Sequence, residues 1–195
     1  MSNSDQLDEE TVMAASDIQH TAVRLSRLSN SLLLISRVEN RQFDLDDDVR
    51  ISYVVTDVLD EMKDFIAMKN IHVSTIETSD VVVRGNKELI QSAVYNIMQN
   101  AVKFTPENSG IKIEIGAESG LKELKIIDEG PGITEELKDS LFGRFKKSNG
   151  HSNKLGQNSG NGLGLSIVKS ICKLHEFEYA VKNRKGSGTE VTIRF

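Results

Sequence analysis

Residues 86–105 read NKELIQSAVYNIMQNAVKFT, and the spacing inside this stretch organises the rest of the chain. Leu89, Ile90, Ala93, Val94, Ile97, Met98 and Ala101 recur at steps of three and four, which predicts a helix with one face in a core. Asn96, Asn100 and Lys103 recur at the same spacing on another side, so they point one way from neighbouring turns. Asn offers a hard carbonyl oxygen of the kind Mg²⁺ accepts. Lys offers a point charge for phosphate oxygens. In isolation, a solvated face with ordinary polar residues is the simpler reading, and the stretches downstream decide between the two.

Working outward from this helix, residues 50–70 carry Val54, Val55, Val58, Leu59, Met62, Ile66 and Met68 at helical spacing, mostly facing inward. Ile71, Val73 and Ile76 suggest a strand, and Val81, Val82 and Val83 a second, closed by Gly85. Pro106 stops the central helix. Strands follow at residues 111–116 (IKIEIG) and 121–128 (LKELKIID), then a Gly-, Ser- and Asn-rich stretch over residues 143–160. A further helix at 163–175 and strands near 179–183 and 189–195 complete the chain. Adjacent pairs of strands with helices between the pairs imply an α/β fold: a two-layer sandwich with a mixed sheet and helices on one face.

The N-terminal part has a different character. Leu7, Thr11, Ala14, Ile18, Thr21, Leu25, Leu28, Leu32 and Ile35 form a heptad seam without Gly or Pro, which suits a helical hairpin or coiled coil. Such a helix cannot bury its seam alone, so a partner helix must come from another copy or from other sequence. His20 lies off the seam and reads as a rim histidine. The acidic segment RQFDLDDD at 41–48 reads as a joint, with a short strand about Phe43 and Leu45, and divides the chain into residues 1–43 and 44–195.

Composition narrows the function classes. The 195 residues are 38% hydrophobic and carry a net charge of −5, with no basic run, which argues against a nucleic-acid surface. A single cysteine, Cys172, excludes an internal disulfide framework, and its apolar helical setting reads as a buried core thiol. No apolar run reaches the roughly 18–20 residues needed to span a bilayer, and the polar, acidic start MSNSDQLDEE lacks a signal-peptide pattern. The expectation is a soluble chain, which leaves open that it is a piece of something larger.

Three further stretches bear chemistry. Asp128, Glu129, Gly130, Pro131, Gly132 and Ile133 follow a strand directly; the glycines permit a tight turn close to a ligand, and Asp128 offers a carboxylate to an amino group such as adenine N6. Gly160, Asn161, Gly162, Leu163, Gly164 and Leu165 open an apolar helix, where exposed N–H groups and the helix dipole favour an anion. This is neither a dinucleotide fingerprint nor a P-loop. Between them, the long 143–160 connection carries Arg144, Lys146, Lys147 and Lys154, which suits a flap over a polyphosphate or a solvated loop.

In this order the motifs resemble those of sensor histidine kinases of two-component systems. NIMQNAVKFT is similar to their N box, DEGPGI to the G1 box, LFGRFKK to the F box and GNGLGLSIVK to the G2 box; GSGTEVTIRF looks like their closing strand. The resemblance covers about residues 44–195 and implies the ATP-binding sandwich shared with gyrase and heat-shock ATPases. SRLSNSLLLISRVEN resembles the second helix of their dimerisation and phosphotransfer hairpin. The H box of the first helix, with its phosphoacceptor histidine, is absent, and His20 has none of that box around it.

Carried over residue by residue, the resemblance implies ATP and Mg²⁺ as cofactors. Asn100 would coordinate the metal, assisted by Asn96; Lys103 would contact phosphate and Phe104 the nucleoside; Asp128 would accept from adenine N6. Gly130, Gly132 and Ile133 would shape the adenine pocket, with Thr189 lining its end. Phe142 and Phe145 would anchor the lid, and Arg144 and Lys147 would neutralise charge on the γ-phosphate. Gly160, Gly162, Leu163, Gly164 and Leu165 would form the hinge and the phosphate-facing helix start. The implied partners are a response regulator receiver domain, the first helix of the protein's own hairpin and a second copy in a homodimer, with no nucleic acid; the intact protein would be anchored in the inner membrane. The hydrolytic relatives place Glu where Asn96 stands. Asn is a poor general base, which implies slow hydrolysis and transfer to a histidine instead. Two departures bear on lid docking: Glu176, Phe177 and Glu178 replace a Gly-rich turn, and Lys146 replaces an aromatic residue.

Overall fold

The computed structural model describes residues 3–118, 120–134, 162–184 and 188–195. Its elements are α1 (Asn3–Glu39), β1 (Asp47–Arg50), α2 (Ile51–Met68), β2 (His72–Glu77), β3 (Val82–Gly85), α3 (Lys87–Phe104), β4 (Gly110–Glu118), β5 (Leu121–Asp128), α4 (Gly164–His175), β6 (Glu178–Asn183) and β7 (Thr189–Arg194).

The central helix forms where its spacing predicts. Asn86 caps it, its Oδ1 accepting from the Leu89 N–H at 3.1 Å. The helix ends at Phe104 because Thr105, ahead of Pro106, is extended with ψ 128°. All seven expected apolar residues are buried, and Val102 joins them. Helix α2 runs parallel to it. Lys87 pairs with Asp57 at 3.4 Å, Gln91 donates to Glu61 at 2.8 Å, and Lys69, just past α2, reaches the last carbonyls of α3. Met68 departs from the inward expectation: it is 75% exposed, on the last turn of α2.

The main sheet has the order β2-β4-β5-β7-β6, with β2 parallel to β4 and the remaining pairs antiparallel. Period-two alternation makes it one-sided. Ile111, Ile113, Ile115, Leu124, Ile126 and Ile193 face the helices and are buried. The alternate positions carry ion pairs such as Lys112–Glu114 at 2.6 Å and Lys182–Glu190 at 2.9 Å, which give the other face a charged surface, while Glu123, Ile127 and Thr192 in its middle are buried. Two strands do not join this sheet: β3 pairs with β1 in a separate two-stranded ribbon. That ribbon also corrects the strand expected about Phe43 and Leu45. Pairing starts at Asp47, while Phe43 lies under the Arg37 guanidinium, 4.6 Å from the ring centroid.

Helix α4 closes the helical layer with Ile167, Val168, Ile171 and Cys172 buried; burial pushes the Cys172 thiol up to about 12. The last turns of α1 pack against α4 and bring Ile35 and Val38 into the core. Along the seam upstream, Ile18 and Leu25 stay exposed, as does His20.

Candidate nucleotide site

Four elements converge where the motifs lie: the end of β5, the C-terminal turn of α3, the start of α4 and the start of β7. Asp128 ends β5 and is 6% exposed. Its Oδ1 accepts from the Gly130 N–H at 2.8 Å and the Thr189 N–H at 3.2 Å. Burial raises the carboxyl above its usual 3.8, opposed by hydrogen bonds from the Gly130 backbone and from the backbone and side chain of Thr189. A carboxylate has about four lone-pair sites. The three donors therefore leave capacity for one more, and an adenine amino group fits it.

The loop after Asp128 packs tightly on its surroundings. A β-carbon at Gly130 would stand 3.1 Å from the Phe104 carbonyl oxygen, so the loop touches the end of α3. Gly188 has φ +102°, and a β-carbon there would fall 2.0 Å from the Asp128 carbonyl oxygen, a closeness only glycine tolerates. Glu129 ties the loop to β4, its Oε2 accepting from the Gly110 N–H at 2.8 Å. Asn183, at the end of β6, holds both backbone groups of Ile133: its Oδ1 accepts from the N–H and its Nδ2 donates to the carbonyl, each at 2.7 Å.

On α3, Asn96 Nδ2 donates to the Ser92 carbonyl at 2.7 Å, and its Oδ1 faces Gly164, where a β-carbon would lie 2.8 Å away. The amide is thus seated against the start of α4. Asn100 lies one turn on, half-buried. Lys103 extends over the Phe104 ring, with Nζ 5.1 Å from the centroid, and both side chains are exposed. Leu163 is 1% exposed and sits in the core, which leaves only its backbone to face a ligand; Gly162 and Leu165 flank it, half-buried.

The structure therefore joins Asn96 to Gly164, Phe104 to Gly130, and Asp128 to Gly130 and Thr189. Phe142, Arg144, Phe145, Lys146, Lys147 and Gly160 lie outside the described residues. Asn183, Glu129 and Gly188 were not singled out from the sequence. Asn is uncommon in strands, which is the one local signal Asn183 offers. Among the described residues, no group of three or more His, Cys, Asp or Glu side chains gathers to hold a metal. Carbonyl oxygens such as that of Asn100 suit Mg²⁺, which takes few protein ligands and completes its shell with substrate phosphates and water. A groove of about 390 Å³ between α2 and α3, lined by Glu61, Glu88, Gln91, Ser92 and Tyr95, is a separate feature that adjoins Asn96 through Ser92.

Residues 85–195 match the model of the histidine kinase-, DNA gyrase B- and HSP90-like ATPases. The chain belongs to that family. Its heme sensor relative HssS of Staphylococcus haemolyticus is 33% identical over 91% of this chain and 38% of its own length. The sensor histidine kinase YkoH of Bacillus subtilis is 31% identical over 96% of this chain and 39% of its own. Among solved structures, the Acinetobacter baumannii histidine kinase AdeS superposes with a TM-score of 0.74 at 28% identity, covering 94% of this chain and 83% of that one. The chain thus spans under two fifths of the length of these two curated relatives. This ATPase-family chain carries the catalytic fold of two-component histidine kinases. Among its described residues, no helix is long and apolar enough to cross a membrane.

Proposed function

We propose that this chain binds Mg-ATP between α3, the 128–133 loop and the start of α4, and delivers the γ-phosphoryl group to a histidine on a helix outside this sequence. The observation that carries the reading is Asp128: a buried carboxylate, held by the Gly130 and Thr189 amides beside the end of the Asn-bearing helix. Its remaining capacity fits the adenine amino group. Asn100, with Asn96 behind it, would hold Mg²⁺, and Lys103 would meet phosphate oxygens. Bound Mg²⁺ would supply charge neutralisation on the β- and γ-phosphates. Arg144 and Lys147 are proposed to close over them. As ADP leaves with the electrons of the broken P–O bond, a P–N bond forms on the imidazole. Positioning and electrostatics carry such transfers, and the chain needs no nucleophile of its own.

Residues 1–43 are read as the second helix of a dimerisation hairpin and residues 44–195 as the ATP-binding domain. The exposed seam of α1 supports a first hairpin helix and a second copy as partners in the intact protein. A response regulator is the proposed acceptor of the phosphoryl group, and the intact sensor is proposed to be membrane-anchored. The test mixes the chain with ATP labelled on the γ-phosphate and a separately made hairpin helix bearing an H box. Acid-labile label on its histidine is expected; nucleotide binding without label would reduce the chain to a docking module.

A further inference from the structure

We infer that Asn183 is a positioning residue for base recognition, an inference that rests on the nucleotide reading above. The loop that would face the base runs from Asp128 to Ile133, and the β6–β7 hairpin grips it at both ends. At the first end, the Thr189 N–H donates to Asp128 Oδ1. At the second, the Asn183 carboxamide takes both the N–H and the carbonyl of Ile133 at 2.7 Å. Thr189 and Asn183 are partners across the hairpin, so the two grips share one rung of the β6–β7 ladder. Gly132, at φ +80°, passes beneath the amide, where a β-carbon would lie 3.1 Å from Asn183 Oδ1. Both hydrogen-bonding groups of one residue are thus satisfied by a single side chain, as a neighbouring strand would satisfy them.

This closed circuit fixes Gly132 and Ile133 relative to the Asp128 carboxylate. Without the carboxamide, Asp128 keeps its own partners but the far end of the loop is released. The edge that reads the base then loses its fixed shape, while the groups on α3 and α4 assigned to metal and phosphate are untouched. The consequence falls on discrimination between bases and spares the phosphate end.

Calorimetry of the full chain with Mg²⁺ and either ADP or inosine diphosphate separates these effects, because inosine presents a carbonyl where adenine presents an amino group. Wild type is expected to prefer ADP. Asn183→Ala is expected to weaken ADP by about tenfold and inosine diphosphate little, since about one to two hydrogen bonds' worth of order is lost at the base edge. Asn183→Asp keeps the acceptor for the Ile133 N–H and is expected to lose about threefold for ADP; it decides the matter if the alanine variant does not fold. An equal loss for both nucleotides, or no loss for ADP, would overturn the role of Asn183 and leave the nucleotide reading standing. A wild-type chain that binds neither nucleotide would overturn both.

Discussion

His175 Nε2 accepts a hydrogen bond from the Asn86 N–H at 3.0 Å, which pins the C-terminus of α4 to the N-cap of α3. Its Nδ1 faces the Ile171 carbonyl at 2.9 Å, which fixes the neutral tautomer with the proton on Nδ1. The ring is 9% exposed, stacks on Phe177 at 5.0 Å, and fills the space a side chain at Gly85 would need. The two helices that bear the Asn pair and the glycine-rich start are therefore joined at their far ends by an imidazole that must stay uncharged.

That contact sets a pH dependence. Burial lowers the His175 pKa below 6.5, opposed by the Ile171 carbonyl. The unfolded chain then takes up a proton near 6.5 that the folded chain refuses, so the unfolded state binds more protons in that window. Stability is complete above about pH 6.5 and falls as pH drops below it, until the folded-state pKa is passed. Urea titrations between pH 5 and 8 are expected to show this slope, and His175→Gln, which does not titrate, to flatten it. An unchanged slope in the variant would remove His175 as its source.

Gly164→Ala introduces a β-carbon 2.8 Å from Asn96 Oδ1 at a position where alanine is otherwise a good helix residue. Either the amide leaves its seat on Ser92 or α4 shifts outward, a strain of about 1–3 kcal/mol. Thermal melts are expected to show a folded but less stable protein, and Mg-nucleotide affinity to fall by about tenfold. Unchanged affinity would mean that Asn96 is not seated for ligand binding.

Lys69 carries the end of the central helix. Its Nζ donates to the carbonyls of Val102 at 2.7 Å, Lys103 at 3.2 Å and Thr105 at 2.5 Å. These are the orphan acceptors of the last turn, facing the negative end of the helix dipole. Lys69→Met keeps the stem and removes the donors, and denaturant titration is expected to show a loss of about 1–3 kcal/mol. Lys69→Arg is expected to recover part of it. No loss for the methionine variant would mean that water caps the helix equally well.

Asn96 also bears on hydrolysis. Its Nδ2 is engaged by Ser92 and its amide takes up no proton near neutrality, so the chain lacks a base at this position to activate water. Phosphate release from ATP alone is expected to be far slower than that of a dedicated ATPase. Fast turnover would assign the chain to the hydrolytic branch of the family.

The parts of this molecule that were legible in the sequence are those written in local patterns. Three-and-four spacing marked α3 and its buried face, and alternation marked β4 and β5 and ended the latter on Asp128. The parts that were not legible depend on distant partners. β3 leaves its sequence neighbour β2 to pair with β1, because Val83 sits opposite Val49 across about 34 residues of chain. The heptad seam of α1 marked one face, yet Val38, outside that seam, joins Ile35 in packing on the domain. Asn183 reaches Ile133 across 50 positions, and no residue adjacent to either announces the contact.

The most direct test is calorimetric titration of the chain with ADP, with and without Mg²⁺, for wild type, Asn100→Asp and Asp128→Asn. Wild type is expected to bind with a clear heat that Mg²⁺ strengthens. Asp128→Asn, which turns an amide N–H₂ toward the Gly130 or Thr189 donors or toward the base, is expected to bind at least about tenfold more weakly. Asn100→Asp is expected to change the Mg²⁺ dependence while leaving metal-free binding near wild type. Absence of heat from wild type, or equal affinities in all three proteins, would contradict the account.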